Sequence, residues 1–202
     1  MELQTSAVKS KAEVRRGLID SRRSLSPEER RRRSLQIWGS CRQLPEFRRP
    51  GLICSYVGFG EEVETSDLVR ELLRERGRVA VPVHGSGRSL PAFAEIASWD
   101  DLAPNSLGFL EPVPENVRVV ANDEISCFLV PGVGFDLQGN RLGYGLGFYD
   151  RVLPTAAQDS HLVGLAYDLQ VVESLPVSAH DVPMHLIITE TRIVDPSLHG
   201  DL

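Results

Sequence analysis

The sequence predicts an α/β fold with a mainly parallel sheet. Short apolar runs rich in branched residues occupy 51–57, 78–83 and 127–135, and each has the length of a buried strand. A helical pattern separates the first two runs, and this strand–helix–strand order is typical of a parallel sheet. The length of 202 residues and the 42% hydrophobic content are enough for one sizeable core. We therefore expect a single domain over 1–202, with 1–45 as a helical segment packed on the body.

Two helices are predicted at the N-terminus. In the first, residues 7–23, the aliphatic side chains of one face are Val14, Leu18 and Ile19. The second begins at the N-cap Ser26, where Pro27 suits the first helical position and Glu29 completes a capping box. It is expected to end near Cys41, with a basic outer face.

The next helix is bounded by clear start and stop signals. It follows the strand at 51–57, with Thr65 or Ser66 as its N-cap, and Gly77 as its stop. The strand at 78–83 begins directly after that glycine. One αβ unit of the predicted sheet is thus defined.

The second half of the chain is less regular in its pattern. Residues 89–96 form a weaker strand, which Pro91 suggests lies at a sheet edge. Residues 98–124 look irregular because prolines are frequent there. The strong strand at 127–135 leads into a glycine-rich stretch, after which a helix begins at about residue 148. Further strands are expected at 161–167 and 186–189.

Charge is distributed unevenly along the chain. Residues 1–50 hold 13 Lys and Arg against 6 Asp and Glu, whereas the remainder holds 9 against 22, for a net charge of −6. A basic segment on an acidic body could bind an anion, a nucleic acid or the body itself. Docking on the body is the simplest interpretation, and no nucleic-acid-reading motif is present. We expect no nucleic-acid partner.

Targeting and redox signals point to an ordinary cytoplasmic protein. No apolar run approaches the ~20 residues that a membrane helix needs, so we expect no membrane association. The N-terminus has no apolar segment of the secretory type. Three widely spaced cysteines without a CxxC pair indicate reduced, buried thiols rather than a disulfide or zinc site: Cys41, Cys54 and Cys127.

The sequence GNRLGYGLGFYDR at 139–151 is the strongest candidate site. Six of the 17 glycines lie in 132–147, and the last three alternate with other residues between a strand and a helix. Such a segment can direct several backbone N–H groups at one anion, and a helix N-terminus beyond it adds positive potential. A tight structural turn is the alternative. Two familiar phosphate motifs are excluded, because no lysine follows residue 11 and GYGLG is one residue short of GxGxxG.

Charged residues flank these glycines on both sides. Arg141 can offer a bidentate fork to phosphate oxygens. Asp150 would repel a phosphate directly but can bind it through Mg²⁺, which one or two carboxylates commonly hold together with substrate phosphates. The combination favours a magnesium–nucleotide phosphate site.

The stretch LVPGVGFDLQGNRLGYGLGFYDRVL resembles the signature PxxxFDxxGxRLGxGxGYYDRxL of the 5-formyltetrahydrofolate cyclo-ligases, also called 5,10-methenyltetrahydrofolate synthetases. Phe148 replaces the first tyrosine. KAEVR at 11–15, EEVET at 61–65 and LGFLEP at 107–112 are similar to further family segments, as is the closing region 163–189.

The resemblance implies a three-layer α/β/α sandwich with basic N-terminal helices docked on it. It also implies an enzyme that uses Mg-ATP to convert 5-formyltetrahydrofolate into 5,10-methenyltetrahydrofolate, ADP and phosphate. Mg²⁺ would be the cofactor, ATP a co-substrate, and small molecules the partners of a monomer. A non-catalytic folate or nucleotide binder that kept the fold is the alternative function.

Site residues are carried over from the family motifs. ATP would be bound by Lys11, Arg15, Arg141, Leu142, Gly143, Tyr144, Gly145, Leu146, Gly147, Phe148 and Tyr149. The folate would contact Val57, Glu62, Tyr144, Gly145 and Phe148. The residues expected to take part in catalysis are Arg141 and Tyr149. The magnesium ligands would be Asp150 and Asp181.

Each assignment has a purely structural alternative. Lys11 and Arg15, one helical turn apart, could form a solvated basic face. Glu62 could complement a helix start, and Asp181 could make an Asx-turn before a proline. Tyr149 could be a core residue.

One position departs from the family pattern. The family usually has an acid where this chain has His185, and histidine is a poor substitute for an acid as a magnesium ligand. If that acid is needed for catalysis, turnover should suffer. If it only makes a structural contact, nothing follows.

Overall fold

A computed structural model describes residues 10–83, 92–106, 108–113, 118–178 and 180–198. The α-helices are α1 (Lys11–Arg23), α2 (Pro27–Cys41), α3 (Ser66–Arg76) and α4 (Phe148–Val152). The strands are β1 (Leu52–Ser55), β2 (Val79–Val83), β3 (Ala92–Ile96), β4 (Leu102–Pro104), β5 (Leu110–Pro112), β6 (Arg118–Val120), β7 (Ile125–Pro131), β8 (Gly134–Asp136), β9 (Arg141–Leu142), β10 (His161–Leu165), β11 (Val171–Val172), β12 (Leu186–Ile188) and β13 (Ile193–Val194).

The main sheet has eight strands in the order β13-β12-β10-β7-β1-β2-β3-β6. The five strands from β12 to β2 run parallel to one another. The outer strands β13, β3 and β6 pair antiparallel to their neighbours. The prediction of a mostly parallel sheet is confirmed.

Side chains alternate between two cores, one on each face of the sheet. Ile53 and Leu129 point into the core that α2 and α3 cover. Cys54 and Phe128 point into the other core, which also holds Tyr149 of α4. This alternation explains why the central strands read as continuous apolar runs, since both faces are covered. The three-layer arrangement is confirmed.

The predicted helix boundaries match the structure closely. Ser26 and Glu29 form the expected capping box, and Gly77 ends α3 in the left-handed conformation at φ 74°. Thr65 occupies the N-cap of α3, but its hydroxyl donates to the Tyr56 carbonyl oxygen instead of capping the helix. The N-cap of α1 is Ser10, and the predicted residues 7–9 lie outside the described part.

Two predictions for the region 89–124 were wrong. The strand β3 is not at an edge, because β6 pairs with it over Phe93–Glu95. That ladder lies beyond Pro91, which is outside the described residues, so the missing proline N–H does not interrupt it. The region 98–124 is not irregular throughout, since β4, β5 and β6 lie in it. These strands have only three residues each, too few for a visible periodic pattern.

The predicted strand 127–135 is two strands joined by a sharp change of direction. After β7, the chain leaves the main sheet, and β8 joins a small separate sheet with β9 and β11. Gly132 permits the change, because a Cβ there would lie 2.6 Å from the Phe135 ring. The glycine-rich stretch therefore follows a strand of this small sheet, β9.

The basic N-terminal segment packs on the acidic body, as predicted. Leu18 of α1 packs with Val133 and Leu142, and Ser34 of α2 shares a hydrogen bond with Tyr167. The three cysteines are free and buried. Within the described ranges, no helix has the length and apolar character to cross a bilayer.

Candidate functional site

The chain enters the candidate site through a turn organised by Asp136. This carboxylate is fully buried and accepts the backbone N–H groups of Gln138, Asn140 and Leu175 at 2.9–3.0 Å. It also accepts the side-chain amide of Asn140 at 2.9 Å. With four donors, the carboxylate fixes the direction in which the chain reaches Arg141.

Arg141 and Asp150 form a close ion pair across the glycine-rich stretch. Nη2 of Arg141 lies 2.7 Å from Oδ1 of Asp150, and the two side chains are 5% and 31% exposed. The guanidinium lies 5.4 Å from the centre of the Tyr149 ring. Its Nε is buried without a hydrogen-bond partner in the described structure. The cation is thus held rigidly while part of its hydrogen-bonding capacity stays unused.

The segment 143–147, here called the glycine loop, needs its glycines. Gly145 and Gly147 have φ values of 97° and 64°, in the region that side chains rarely adopt. A Cβ on Gly143 would lie 2.8 Å from Nη1 of Arg141. Between the glycines, Tyr144 and Leu146 are exposed. The helix α4 that follows has only five residues, so the expected dipole contribution is small.

Helix α1 fastens the glycine loop from the other side. Nε of Arg15 donates to the Gly143 carbonyl oxygen at 2.8 Å. Nζ of Lys11 lies 2.7 Å from Oδ2 of Asp181 and 2.8 Å from Oγ of Ser178. The predicted basic face of α1 therefore meets the site instead of solvent.

The Asp181 carboxylate is held in its ionised form. Burial alone would raise the pKa of Asp181, but hydrogen bonds from Lys11 and the Ser178 N–H, together with the Lys11 charge, hold the pKa below its ordinary value. The carboxylate also closes the turn from Ser178, where its Oδ2 accepts that N–H at 2.7 Å. The structural alternative and the site assignment are both compatible with this contact.

Both predicted metal ligands line one cleft of about 620 Å³. Its walls are Leu146, Gly147, Asp150, Arg151, Pro154, His180, Asp181 and Val182. The two carboxylates are 31 residues apart in sequence, yet each is paired with a cation at the same opening. The carboxylates of this cleft could bind an anionic ligand through a divalent cation.

An acidic turn, residues 59–62, follows β1, the strand next to β7. Oε2 of Glu62 accepts the Phe59 N–H at 3.1 Å, and the Glu62 carbonyl oxygen accepts the Tyr167 hydroxyl at 3.0 Å. Burial raises the pKa of Glu62, although the Phe59 N–H and the Arg22 cation oppose the shift. Val57, also predicted to contact the folate, is half-buried just before this turn.

Of the predicted aromatic site residues, Tyr144 is exposed, whereas Tyr149 and Phe148 pack in or against the core. Tyr149 is buried, and its hydroxyl has no hydrogen-bond partner in the described structure. Burial raises the pKa of that hydroxyl well above its ordinary value. Phe148 packs edge-to-face on Phe93 with centroids 5.7 Å apart. Leu142 is a core residue, so its main chain alone could reach a ligand.

Sequence reasoning missed Arg22, the most buried charged side chain of α1. It is 1% exposed and donates to the Tyr144 hydroxyl and, at 3.5 Å, to the Gly132 carbonyl oxygen. The spacing held a usable signal, because Lys11, Arg15 and Arg22 lie on the Leu18 side of the helix at intervals of 4 and 7 residues.

His185 does not line the cleft described above. Its Nδ1 accepts the Leu162 N–H at 3.1 Å, and its ring centre lies 6.0 Å from that of His161. Both histidines lie at the amino-terminal ends of their strands, β12 and β10. The position therefore contacts the sheet backbone and not the predicted metal ligands.

The fold and site together define an α/β protein with a cleft lined by Gly147 of the glycine loop and by the carboxylates of Asp150 and Asp181. Comparison with known proteins makes this class specific. The model of the 5-formyltetrahydrofolate cyclo-ligase family matches residues 7–190, and the chain belongs to that family.

Relatives cover nearly the whole chain. The 5-formyltetrahydrofolate cyclo-ligase of Escherichia coli is 30% identical over 85% of this chain and 96% of its own length. That of Mycolicibacterium smegmatis is 31% identical over 91% and 95%. The solved structure of Aquifex aeolicus 5,10-methenyltetrahydrofolate synthetase is 33% identical, with a TM-score of 0.81 and 92% of each chain covered.

Proposed function

We propose that this chain catalyses the ATP- and Mg²⁺-dependent conversion of 5-formyltetrahydrofolate to 5,10-methenyltetrahydrofolate, with release of ADP and phosphate. Family membership and the names of the relatives support the substrate and the ring closure. The observation that supports the ATP requirement is that two carboxylates lining one cleft beside the glycine loop, Asp150 and Asp181, are each paired with a cation, Arg141 and Lys11.

The reaction needs an activated formyl oxygen. A formamide oxygen is a weak nucleophile and, without modification, a poor leaving group. In the proposed first step, this oxygen attacks the γ-phosphorus of ATP, and the bond to the β–γ bridging oxygen breaks to release ADP. In the second, N10 attacks the activated carbon, the carbon–oxygen bond breaks, and phosphate leaves with the formyl oxygen. N10 loses its proton as the five-membered ring becomes the methenyl product.

Such chemistry asks the protein for positioning and charge neutralisation. Arg141 is suited to the transferred phosphoryl group, because its guanidinium is rigidly held beside the glycine loop. Lys11 and Arg15 approach from α1 and suit the remaining phosphates. The main-chain N–H groups of the glycine loop would supply further donors.

Magnesium fits the donor set of the cleft. Asp150 and Asp181 are hard-oxygen ligands, and one oxygen of each takes no part in the ion pairs described above. In the described ranges, no cluster of three or more His, Cys, Asp or Glu side chains could hold a metal by itself. An ion bound by the two carboxylates, water and substrate phosphates would neutralise phosphate charge.

Glu62 suits recognition of the pterin. Its ionised carboxylate could accept the ring N–H and amino groups of that heterocycle, while the backbone of the acidic turn keeps it in place. The turn follows β1, which pairs with β7, and β7 leads into the small sheet from which the glycine loop extends.

The test follows methenyl-folate formation by absorbance, with parallel measurement of ADP. We expect product only when 5-formyltetrahydrofolate, ATP and Mg²⁺ are all present, and one ADP per product. Calorimetric binding of 5-formyltetrahydrofolate without any methenyl absorbance would instead support the non-catalytic binder. Loss of the ATP requirement would overturn the proposed mechanism.

A further inference from the structure

We propose that Arg22 is a positioning residue of this reaction, which holds the glycine loop and the acidic turn in one fixed arrangement through its buried guanidinium. The inference rests on the proposed function, since it assigns the two segments to the two substrates. Arg22 itself touches neither reacting atom and acts through Tyr144 and its neighbours.

The contacts of Arg22 carry the inference. Nη2 donates to the Tyr144 hydroxyl, and the guanidinium lies 5.5 Å from the centre of that ring. Nη1 donates to the Gly132 carbonyl oxygen at 3.5 Å, where the chain leaves β7. Nη2 also lies 4.0 Å from Oε2 of Glu61 in the acidic turn. Tyr144 belongs to the glycine loop and Glu61 to the acidic turn, so Arg22 contacts both segments assigned to the substrates.

The energetics argue against a purely structural role. The Arg22 side chain is 1% exposed, its Nε has no hydrogen-bond partner in the described structure, and the nearest carboxylate is at the limit of an ion pair. A buried cation with such incomplete pairing is costly, and an apolar side chain of similar size is often no worse for stability. Leu18, one turn earlier, shows that this face of α1 accepts apolar residues.

A loop with three glycines also needs an external anchor. These glycines allow the loop many conformations, so outside contacts must fix it. Arg15 binds the carbonyl oxygen at one end of the loop, and Arg151 binds two carbonyl oxygens at the other end. Tyr144 is half exposed, and its hydroxyl contact with Arg22 ties the middle of the loop to α1. Displacement of a binding group by about 1 Å can cost about 10²-fold in rate.

The experiment compares four variants with the wild type: Arg22→Met, Tyr144→Phe, both together, and Arg23→Met. Arg23 is the matched control, because it is an adjacent, 63% exposed arginine on α1 that pairs only loosely with Asp20 at 3.8 Å. Methenyl-folate formation gives kcat and KM for each substrate, and circular dichroism gives the folded fraction at the assay temperature.

We expect Arg22→Met to lower kcat about 10- to 100-fold per folded molecule, and Tyr144→Phe to lower it about tenfold. The double variant should be no worse than Arg22→Met, because both changes remove the same contact. Arg23→Met should stay within about twofold of the wild type. A wild-type enzyme with no activity would overturn the proposed function, whereas active variants overturn only this inference.

The pH profile separates positioning from general destabilisation. The groups that face Glu62 are Arg22, Glu61, Tyr56, Tyr144 and Tyr149. Arg22 is the cation among them, and it favours the ionised form of the Glu62 carboxylate. Arg22→Met removes this charge and should therefore move the acid limb of kcat/KM for 5-formyltetrahydrofolate to higher pH. A purely structural loss would scale the rate equally at every pH.

Two outcomes overturn the inference. The first is a folded Arg22→Met enzyme with wild-type kcat and an unmoved acid limb. If Arg22→Met does not fold, Tyr144→Phe decides, since an exposed tyrosine losing one oxygen should remain folded. Wild-type kinetics for Tyr144→Phe would then show that the hydroxyl contact does not position the loop.

Discussion

Two ion pairs border the cleft, and they differ in how the fold makes them. Arg141 and Asp150 are nine residues apart, and the arginine is 5% exposed. Lys11 and Asp181 are 170 residues apart, and the lysine is 32% exposed. The first pair is built into one segment, whereas the second exists only when α1 is docked. The built-in pair is therefore preorganised within one segment, whereas the second depends on the packing of α1 on the body.

This difference separates two uses of charge. A buried, preorganised guanidinium can stabilise charge that develops during a reaction, because no reorganisation is needed at that moment. An exposed lysine on a docked helix contributes mainly to binding, and salt screens it. Variants of the two pairs should therefore affect different kinetic constants.

The largest effect is expected for Arg141→Ala. It should lower kcat by about 10²–10³-fold, the usual loss when a preorganised transition-state donor is removed. Methenyl formation at saturating substrates measures it, with thermal unfolding as the check on folding. Arg78→Ala is the matched control, because Arg78 is an exposed cation that pairs with Glu95 at the start of β2. Equal kcat values for the two variants would refute the role of Arg141.

The acidic turn sharpens the comparison, because the cation that acts on Glu62 is Arg22 of α1, outside the turn itself. Glu62→Gln should raise KM for 5-formyltetrahydrofolate about 10- to 100-fold, since hydrogen bonds to a charged group contribute about 1.5–3 kcal/mol. An unchanged KM would remove Glu62 from the folate site.

The wild type should lose stability relative to Glu62→Gln as pH rises. Burial raises the pKa of Glu62 above its ordinary value of 4.5, so the folded state binds the proton more tightly than the unfolded state. The stability contributed by this group is present below the ordinary value and is lost as pH rises through the raised one. The thermal midpoint of Glu62→Gln should therefore exceed that of the wild type by more at about pH 8 than at about pH 4.

Lys11→Ala tests the second ion pair directly. KM for ATP should rise about five- to tenfold while kcat changes less, because the charge of the lysine is partly exposed and outside the segment that holds Arg141. The wild-type KM should rise with ionic strength, and that of the variant should rise less. Lys11→Arg, which keeps the charge, should recover most of the loss. A fall in kcat as large as that of Arg141→Ala would contradict the distinction between the pairs.

The sequence predicted best those parts of the fold and of the site that depend on neighbouring residues. The start of α2 and the end of α3 followed from one serine, one proline and one glycine, because caps depend on neighbouring residues. The special backbone of the segment 143–147 followed from the alternate spacing of its three glycines. Family resemblance then added Asp181, whose pairing with Lys11 no local pattern could show.

Features that depend on distant contacts could not be predicted in this way. Nothing in the sequence near Arg22 shows that Tyr144 and Gly132 would surround it, since those contacts cross more than 100 residues. The turn away from the main sheet at Gly132 depends on the Phe135 ring, which packs against Gly164 as well. The position of β3 was missed because its partner β6 has only three residues.

His185 extends the comparison to the opposite end of the strands, where the smallest effect is expected. Its Nδ1 accepts the Leu162 N–H, a task that an acid at this position could also perform. His185→Asp should therefore stay within about twofold of wild-type kcat. His185→Ala, which leaves that N–H without its partner, should lower the thermal midpoint.

The loss of folding stability at acidic pH gives His185→Asp a second test. Partial burial and the nearby His161 lower the pKa of His185, so the stability that its hydrogen bond contributes is present above the ordinary histidine value of 6.5 and is lost as pH falls through the lowered one. An aspartate keeps its acceptor down to about pH 4. His185→Asp should consequently lose less stability than the wild type between about pH 7 and about pH 5. A large loss of kcat in the wild type relative to His185→Asp would instead mean that the missing acid serves the cleft, although the ring contacts the backbone at the far end of the sheet.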